Sequence, residues 1–219
     1  MPAATQRFDL GQSLSIGAGL LVLAALWCGP LAPMSRTSFS PHMLVHLGVV
    51  VVASPLLGFA LARQLPTPNG FGDALRWYLL AAAFEMLAVW SWHVPILHDA
   101  AGHAVSVFVL EQASFLAGGI ALWTAVWTAR GRGAAGAAAI ALFLTFSHMS
   151  MFGLILTLAP RLLYDPTLCL GAFGLDRVGD QHFGGVLMVL GGLPYLAVAA
   201  FMVARLIAPG GTAPRAASP

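Results

Sequence analysis

The sequence contains no lysine, only two cysteines among 219 residues, and few charged side chains of any kind. Asp, Glu, Lys and Arg together make up 8% of the chain, against about 25% in an average soluble domain. Hydrophobic residues make up 59%, and a water-soluble globule of this size could not bury so much apolar surface. These shortages exclude soluble enzymes, nucleic-acid-binding proteins and disordered chains, and they indicate an integral membrane protein.

The two cysteines, Cys28 and Cys169, are too few for a disulfide framework. No CxxC or CxxCH motif occurs, so thioredoxin-like redox chemistry and covalent haem attachment have no support. Three states of the pair stay open at this point. A single disulfide would suit an oxidising compartment, two free thiols are equally compatible with the sequence, and the thiolates could ligate Cu(I).

Apolar runs of about 20 residues predict membrane-spanning helices. We therefore expect an all-α, polytopic bundle of six transmembrane helices, forming one domain over residues 1–208 and followed by a disordered tail at 209–219. No small-residue cleavage site cleanly follows the first run, so we expect a retained helix and not a signal peptide. The six predicted helices are 14–31, 41–62, 75–92, 103–128, 134–158 and 183–207.

All ten basic residues are arginines, and their distribution predicts the orientation of the bundle. Seven lie in the N-terminal segment, the second and fourth loops and the C-terminal segment, whereas three lie in the odd-numbered loops. The positive-inside rule then places both termini in the cytoplasm and the odd loops outside.

This orientation brings the histidines to one side of the membrane. All seven fall at or near the predicted outer face, which a random distribution would not readily produce. They are His42, His46, His93, His98, His103, His148 and His182.

Two of these histidines have the spacing of a metal-binding pair. His42 and His46 are four residues apart, so their imidazoles share one helical face. Such a pair can present two nitrogen ligands to one metal ion. The alternative is a pair of interfacial histidines that meet water and lipid headgroups.

Two carboxylates lie inside apolar helices, where an unpaired charge is expensive. At a rise of about 1.5 Å per residue, Glu85 lies about 10 Å below the outer end of its helix and Glu111 about 12 Å. His46 and His148 are at comparable depth. This layer is either a structural hydrogen-bond cluster or a set of groups that orient metal-binding histidines.

Thioethers occur at the same level, because Met149 and Met151 flank His148. Thioether and imidazole together favour Cu(I), although methionine is also ordinary core filler. No G-x-S-x-G motif and no triad-like spacing occurs, so we expect the protein not to be an enzyme.

Four motifs occur in order: RTSFSPHMLVH at 36–46, W-x-W-H-x-P at 90–95, EQASFLAGG at 111–119 and D-Q-x-x-G-G at 180–185. The first is followed by an apolar run that ends in ASPLL. In content and order these motifs resemble the CtaG family of cytochrome c oxidase assembly factors, over about residues 36–205. The resemblance implies a role in maturing a haem-copper oxidase in the bacterial plasma membrane, by copper delivery at the periplasmic face.

The expected partners are then an oxidase subunit, a copper donor protein and the lipid bilayer, with no nucleic acid. A transiently held Cu(I) ion is the expected metal. The expected ligands are His42, His46 and His93. Supporting or additional ligands are expected among Glu85, Glu111, His148, Asp180 and His182, with Asp180 helping to close the site.

Two other readings stay open. Paired histidines on facing helices could instead ligate haem in a membrane cytochrome. A metal-free scaffold that holds an oxidase subunit during insertion would fit the same helices.

Overall fold

The computed structural model describes residues 9–68 and 70–207, and the tail predicted at 209–219 lies outside the described residues. Within those two ranges all regular secondary structure is helical, which confirms the all-α prediction. The elements are α1 (Leu10–Cys28), α2 (Leu31–Met34), α3 (Phe39–Leu47), a π-helical segment (Gly48–Ala53), α4 (Ser54–Ala62), α5 (Phe71–Trp92), α6 (Pro95–His103), α7 (Val105–Trp127), α8 (Gly131–Leu158) and α9 (Arg177–Ile207).

Within the described residues, five helical stretches are long and apolar enough to cross a membrane: α1, the continuous α3–α4 stretch Phe39–Ala62, α7, α8 and α9. Helix α5 meets α6 at a bend of 73°, and the pair supplies a sixth candidate span. The chain therefore fits a multi-pass membrane protein, with five or six candidate spans in the part that the structure describes. The cytoplasmic placement of both termini stays a prediction.

Helix α6 occupies residues that the hydrophobicity pattern assigns to a loop. Nine residues are too few to register as a membrane span. Pro95 ends α5, because a proline disfavours helical backbone in the residue before it, and the same proline suits the first turn of a new helix. His98, which the sequence places in an outer loop, and His103, which it places at the start of the next predicted helix, therefore lie together on a short helix.

The π-helical segment links α3 to α4 and anchors both to the rest of the bundle. Pro55 has no amide hydrogen, so it cannot donate a hydrogen bond to a backbone carbonyl in the preceding turn of the helix. The Val50 carbonyl in the widened turn accepts hydrogen bonds from Trp123 Nε1 at 2.9 Å and from the Tyr195 hydroxyl at 3.1 Å. These bonds attach the α3–α4 stretch to α7 and α9, just after His46.

Two glycines allow helices to approach closely around the site. A Cβ on Gly118 of α7 would lie 3.0 Å from the Cα of Glu85 on α5. A Cβ on Gly184 of α9 would lie 2.4 Å from the ring of Phe39 at the start of α3. The D-Q-x-x-G-G motif thus carries a packing glycine, as small residues at membrane helix interfaces generally do.

Candidate metal centre

Four imidazole rings lie together inside one end of the bundle, and we call them the histidine cluster. The ring centroids of His42 and His93 are 5.4 Å apart, those of His42 and His98 are 5.0 Å apart, and those of His46 and His93 are 5.6 Å apart. All four side chains are buried, from fully buried His46 to His98 at 6% exposure. The cluster joins the three predicted ligands to one further histidine.

Local structure explains how distant segments supply these rings. His42 and His46 are one turn apart on α3, as their spacing predicts. His93 lies directly after α5, and the bend at Pro95 directs α6 so that His98 meets the same space. The sequence alone missed His98, although a histidine just beyond a helix-starting proline was an available signal.

The cluster contains six buried ring nitrogens that have no hydrogen-bond partner within residues 9–68 and 70–207. A buried polar group without a partner costs about 1–3 kcal/mol. Each neutral imidazole has one nitrogen with a free lone pair and one N–H, so a metal ion could be bound by one nitrogen from each ring and would remove the cost of those nitrogens. The atoms are Nε2 of His42, both nitrogens of His46, Nε2 of His93 and both nitrogens of His98.

His93 has the hydrogen bonding that metal-ligating histidines commonly show. Its Nδ1 lies 2.6 Å from the Val89 carbonyl oxygen, so Nδ1 carries the proton and donates it. The lone pair is then on Nε2, which faces the cluster without a partner in the described chain. This arrangement sets the tautomer that a metal ion requires.

The ring spacing also fits a shared ion. With metal–nitrogen distances of about 2.0 Å, two imidazoles on one trigonal or tetrahedral ion have centroids about 5–5.5 Å apart. The three measured separations lie near that range. Among the described residues, however, no three His, Cys, Asp or Glu side chains are already oriented around one point. Binding would therefore require the rings to rotate.

One carboxylate lies beside the cluster. Glu111 on α7 is fully buried, and its Oε1 is 3.9 Å from Nε2 of His42. Its other oxygen accepts a hydrogen bond from Gln112 Nε2 at 3.3 Å. Glu111 therefore places a negative charge, or a proton donor, next to the imidazoles.

The second buried carboxylate forms its own pair. Glu85 Oε2 on α5 is 3.0 Å from His148 Nε2 on α8. The structure thus brings both predicted glutamates into contact with predicted histidines, in two separate pairs.

Asp180 holds the start of α3 in place. Its carboxylate on α9 accepts hydrogen bonds from the backbone amides of Phe39 at 2.7 Å and Ser40 at 3.2 Å, and from the Ser40 hydroxyl. Ser38, at the N-cap position, makes no side-chain capping bond in the described chain, so Asp180 takes that role. Asp180 acts on the site through the position of α3.

His182 lies apart from this arrangement. Its Nε2 is 2.8 Å from the carbonyl oxygen of Ala159, in the connection that follows α8. The side chain is part-buried there, and it ties α9 to the end of α8. Its structural contact is therefore with the backbone.

A tyrosine from the loop between α8 and α9 covers the cluster. The Tyr164 hydroxyl donates a hydrogen bond to the His93 carbonyl at 3.1 Å, and its ring centroid is 4.3 Å from that of His98. Burial, with Cys169 and Asp99 nearby, raises the pKa of Tyr164 above its ordinary value, so the hydroxyl stays a donor. Sequence reasoning missed Tyr164, because nothing in a Pro- and Gly-rich loop indicates which side chain turns inward.

Both cysteines are free thiols in the described chain, with Cys28 exposed and Cys169 buried. The structure therefore contains two unpaired thiols and not a disulfide. Burial, together with the negative charges of Asp180, Asp99 and Asp165, raises the pKa of Cys169 to about 12. A neutral thiol at physiological pH is a poor metal ligand compared with a thiolate.

The fold and the site define a class: a multi-pass α-helical membrane protein with a buried histidine cluster at one end of the bundle. The family model described as cytochrome c oxidase caa3 assembly factor (Caa3_CtaG) matches residues 3–208. The chain belongs to this family, which confirms the resemblance of the sequence motifs. Comparison with curated proteins and with solved structures yields no match.

Proposed function

We propose that this protein assists the assembly of a caa3-type cytochrome c oxidase by holding a Cu(I) ion at the histidine cluster and passing it to an oxidase subunit. The observation that carries the proposal is the set of four buried imidazoles with unpartnered nitrogens. Membership of the assembly-factor family supports oxidase assembly as the process in which the protein acts. The mechanism is ligand exchange, with no covalent step and no redox step.

Charge balance favours Cu(I) over divalent ions. Uncompensated charge is costly inside an apolar bundle. Among the described residues, Glu111 is the one fully buried carboxylate within 4.0 Å of a cluster histidine, at 3.9 Å from His42, whereas Asp99, at 3.6 Å from His98, is 29% exposed and its charge is screened by solvent. One carboxylate neutralises a monovalent ion, whereas Cu(II) or Zn(II) would leave a net positive charge. Cu(I) is also a soft ion that imidazole binds well.

The proposed location is the outer face of the bacterial plasma membrane, with the cluster near the periplasm. The arginine distribution supports this orientation. A copper donor protein would then approach from the periplasm, and the oxidase subunit would receive the ion at the same end of the bundle.

The test is an anaerobic Cu(I) titration of the purified full-length protein against a chromogenic chelator. We expect one Cu(I) per chain and an affinity that falls about tenfold or more in His42→Ala, His46→Ala and His93→Ala, since each change removes a ligand. His182→Ala is the matched control, because that ring binds the Ala159 carbonyl outside the cluster. In cells the three cluster variants should accumulate normally but yield an oxidase deficient in copper.

The alternatives are outcomes of the same experiment. Protein that binds no Cu(I), yet still supports oxidase assembly, would replace the copper proposal with the metal-free scaffold. A Soret band in the purified protein would replace it with the haem-binding cytochrome.

A further inference from the structure

A chain of polar side chains leads from the protein surface to the histidine cluster. Nε2 of His103 is 4.0 Å from Oδ2 of Asp165. The Asp165 amide donates to Oδ1 of Asp99 at 3.3 Å, and that same oxygen is 3.6 Å from Nδ1 of His98. The His98 ring centroid is 5.0 Å from that of His42.

Exposure falls steadily along this chain. The His103 side chain is 62% exposed, Asp165 35%, Asp99 29% and His98 7%. Both nitrogens of His98 lack a hydrogen-bond partner among the described residues, although the side chain is more than nine-tenths buried. One of them faces Asp99, so an unpartnered buried imidazole forms the inner end of the chain.

Neighbouring groups hold these side chains in place. The backbone amide and the hydroxyl of Thr167 each donate a hydrogen bond to Asp165 at 2.8 Å. These bonds lower the pKa of Asp165, so its carboxylate is charged at neutral pH. Arg36 donates to the Gly102 carbonyl at 2.9 Å and thereby fixes the end of α6 that carries His103.

We propose that these side chains form an entrance site that captures Cu(I) at the surface and passes it inward to the histidine cluster: His103, Asp165, Asp99 and His98. This inference rests on the proposed function, since it assigns a route to the same ion. The ion keeps its charge along the route, and each step exchanges one ligand for the next.

The order of ligand types favours the inner part of the route, from Asp165 and Asp99 to the buried His98, whereas the exposed His103 is a single imidazole that exchanges its ligand readily with solvent. Carboxylates are hard ligands that hold Cu(I) weakly, whereas imidazoles hold it more strongly. The outer carboxylates raise the local concentration of cations without trapping them. His98 can then receive the ion on Nδ1, which faces Asp99, and bring it to His42 by rotation of the ring, because neither of its nitrogens is committed to another group in the described chain.

The experiment separates the rate of loading from the affinity. Full-length protein in detergent is mixed anaerobically with Cu(I) supplied as its acetonitrile complex, and unbound Cu(I) is captured by a chromogenic chelator at set times. We expect a His103→Ala/Asp165→Asn double variant to load about tenfold more slowly, within the range of electrostatic steering, at an equilibrium affinity within about twofold of the wild type. Asp73→Asn is the matched control, an exposed carboxylate in the first turn of α5.

Ionic strength gives a second readout. Loading of the wild type should slow as salt is added, since exposed charges are screened within about 10 Å at 0.1 M. The double variant should show a weaker dependence on salt.

The outcomes distinguish this inference from the proposed function. If the wild type binds no Cu(I), the proposed function fails. If the wild type binds Cu(I) and the double variant loads at the wild-type rate, the entrance alone is refuted. If the double variant loses affinity in proportion to its rate, these side chains are part of the binding site itself, and the separate entrance is again refuted.

Discussion

Removal of the Asp180 carboxylate should destabilise the protein and displace the histidine cluster together. The carboxylate is fully buried and accepts the amides of Phe39 and Ser40 as well as the Ser40 hydroxyl. Asp180→Ala leaves two amides at the start of α3 without an acceptor. Because His42 and His46 follow within two turns, a loosened helix start moves both rings.

The size of the effect follows from the lost bonds. A lost N-cap costs about 1 kcal/mol, a buried unpaired amide costs about 1–3 kcal/mol, and a negative charge at a helix N-terminus contributes about 0.3–2 kcal/mol. The substitution also removes the cost of burying the Asp180 carboxylate on folding, and this gain offsets part of the sum. We expect a net loss of about 2–4 kcal/mol for Asp180→Ala and a smaller loss for Asp180→Asn, which keeps one oxygen acceptor.

The assay is denaturant unfolding in detergent micelles, followed by tryptophan fluorescence, with Cu(I) affinity measured on the folded fraction. Asp73→Ala is the control for loss of one carboxylate, and it should change the free energy of unfolding by less than about 1 kcal/mol. If the free energy of unfolding of Asp180→Ala is within about 0.5 kcal/mol of that of the wild type, Asp180 does not cap α3 as inferred.

Three further predictions concern topology, thiols and packing. Alkaline phosphatase fused after Pro219 should be inactive and a fusion near Ala101 active, because the arginines place the C-terminus inside; the reverse pattern would put the histidine cluster at the cytoplasmic face. At neutral pH, Cys28 should react with a maleimide in the folded protein whereas Cys169 should not. The reaction rate of Cys169 should rise only at pH far above neutrality, because burial and nearby carboxylates raise its pKa to about 12. Equal rates for both thiols at neutral pH would contradict the burial of Cys169. Gly118→Ala should lower the free energy of unfolding by about 1–3 kcal/mol, since its Cβ would lie 3.0 Å from the Glu85 backbone, whereas Gly17→Ala, with open space around it, should be neutral or stabilising.

The sequence predicts the parts of the site that depend on helical periodicity. The four-residue spacing places His42 and His46 on one face, and the apolar runs place Glu85 at the level of its partner His148. Glu111 is expected at the level of His46, whereas the structure pairs it with His42 at 3.9 Å, one turn earlier on α3. These predictions depend only on the axial rise and the rotation per residue of an α-helix. The all-helical, multi-pass class follows from composition by the same kind of argument.

Other parts depend on contacts between distant segments and could not be predicted. The inward turn of His98 depends on the 73° bend after α5. The cover formed by Tyr164 depends on the path of an irregular loop, for which no periodicity exists. The motif resemblance implies that Asp180 helps to close the site, but its role as the cap of α3 depends on how α9 packs against the start of that helix. Each of these side chains acts through a partner more than fifty residues away or across a proline bend.

X-ray absorption at the copper edge of the Cu(I)-loaded, full-length protein reports directly which atoms bind the ion. We expect imidazole nitrogens at about 2.0 Å from copper, with one nitrogen fewer in His93→Ala and unchanged coordination in His182→Ala. Thiolate sulfur bound to copper, or a wild-type protein that retains no copper, would contradict the claim that the histidine cluster is the copper site.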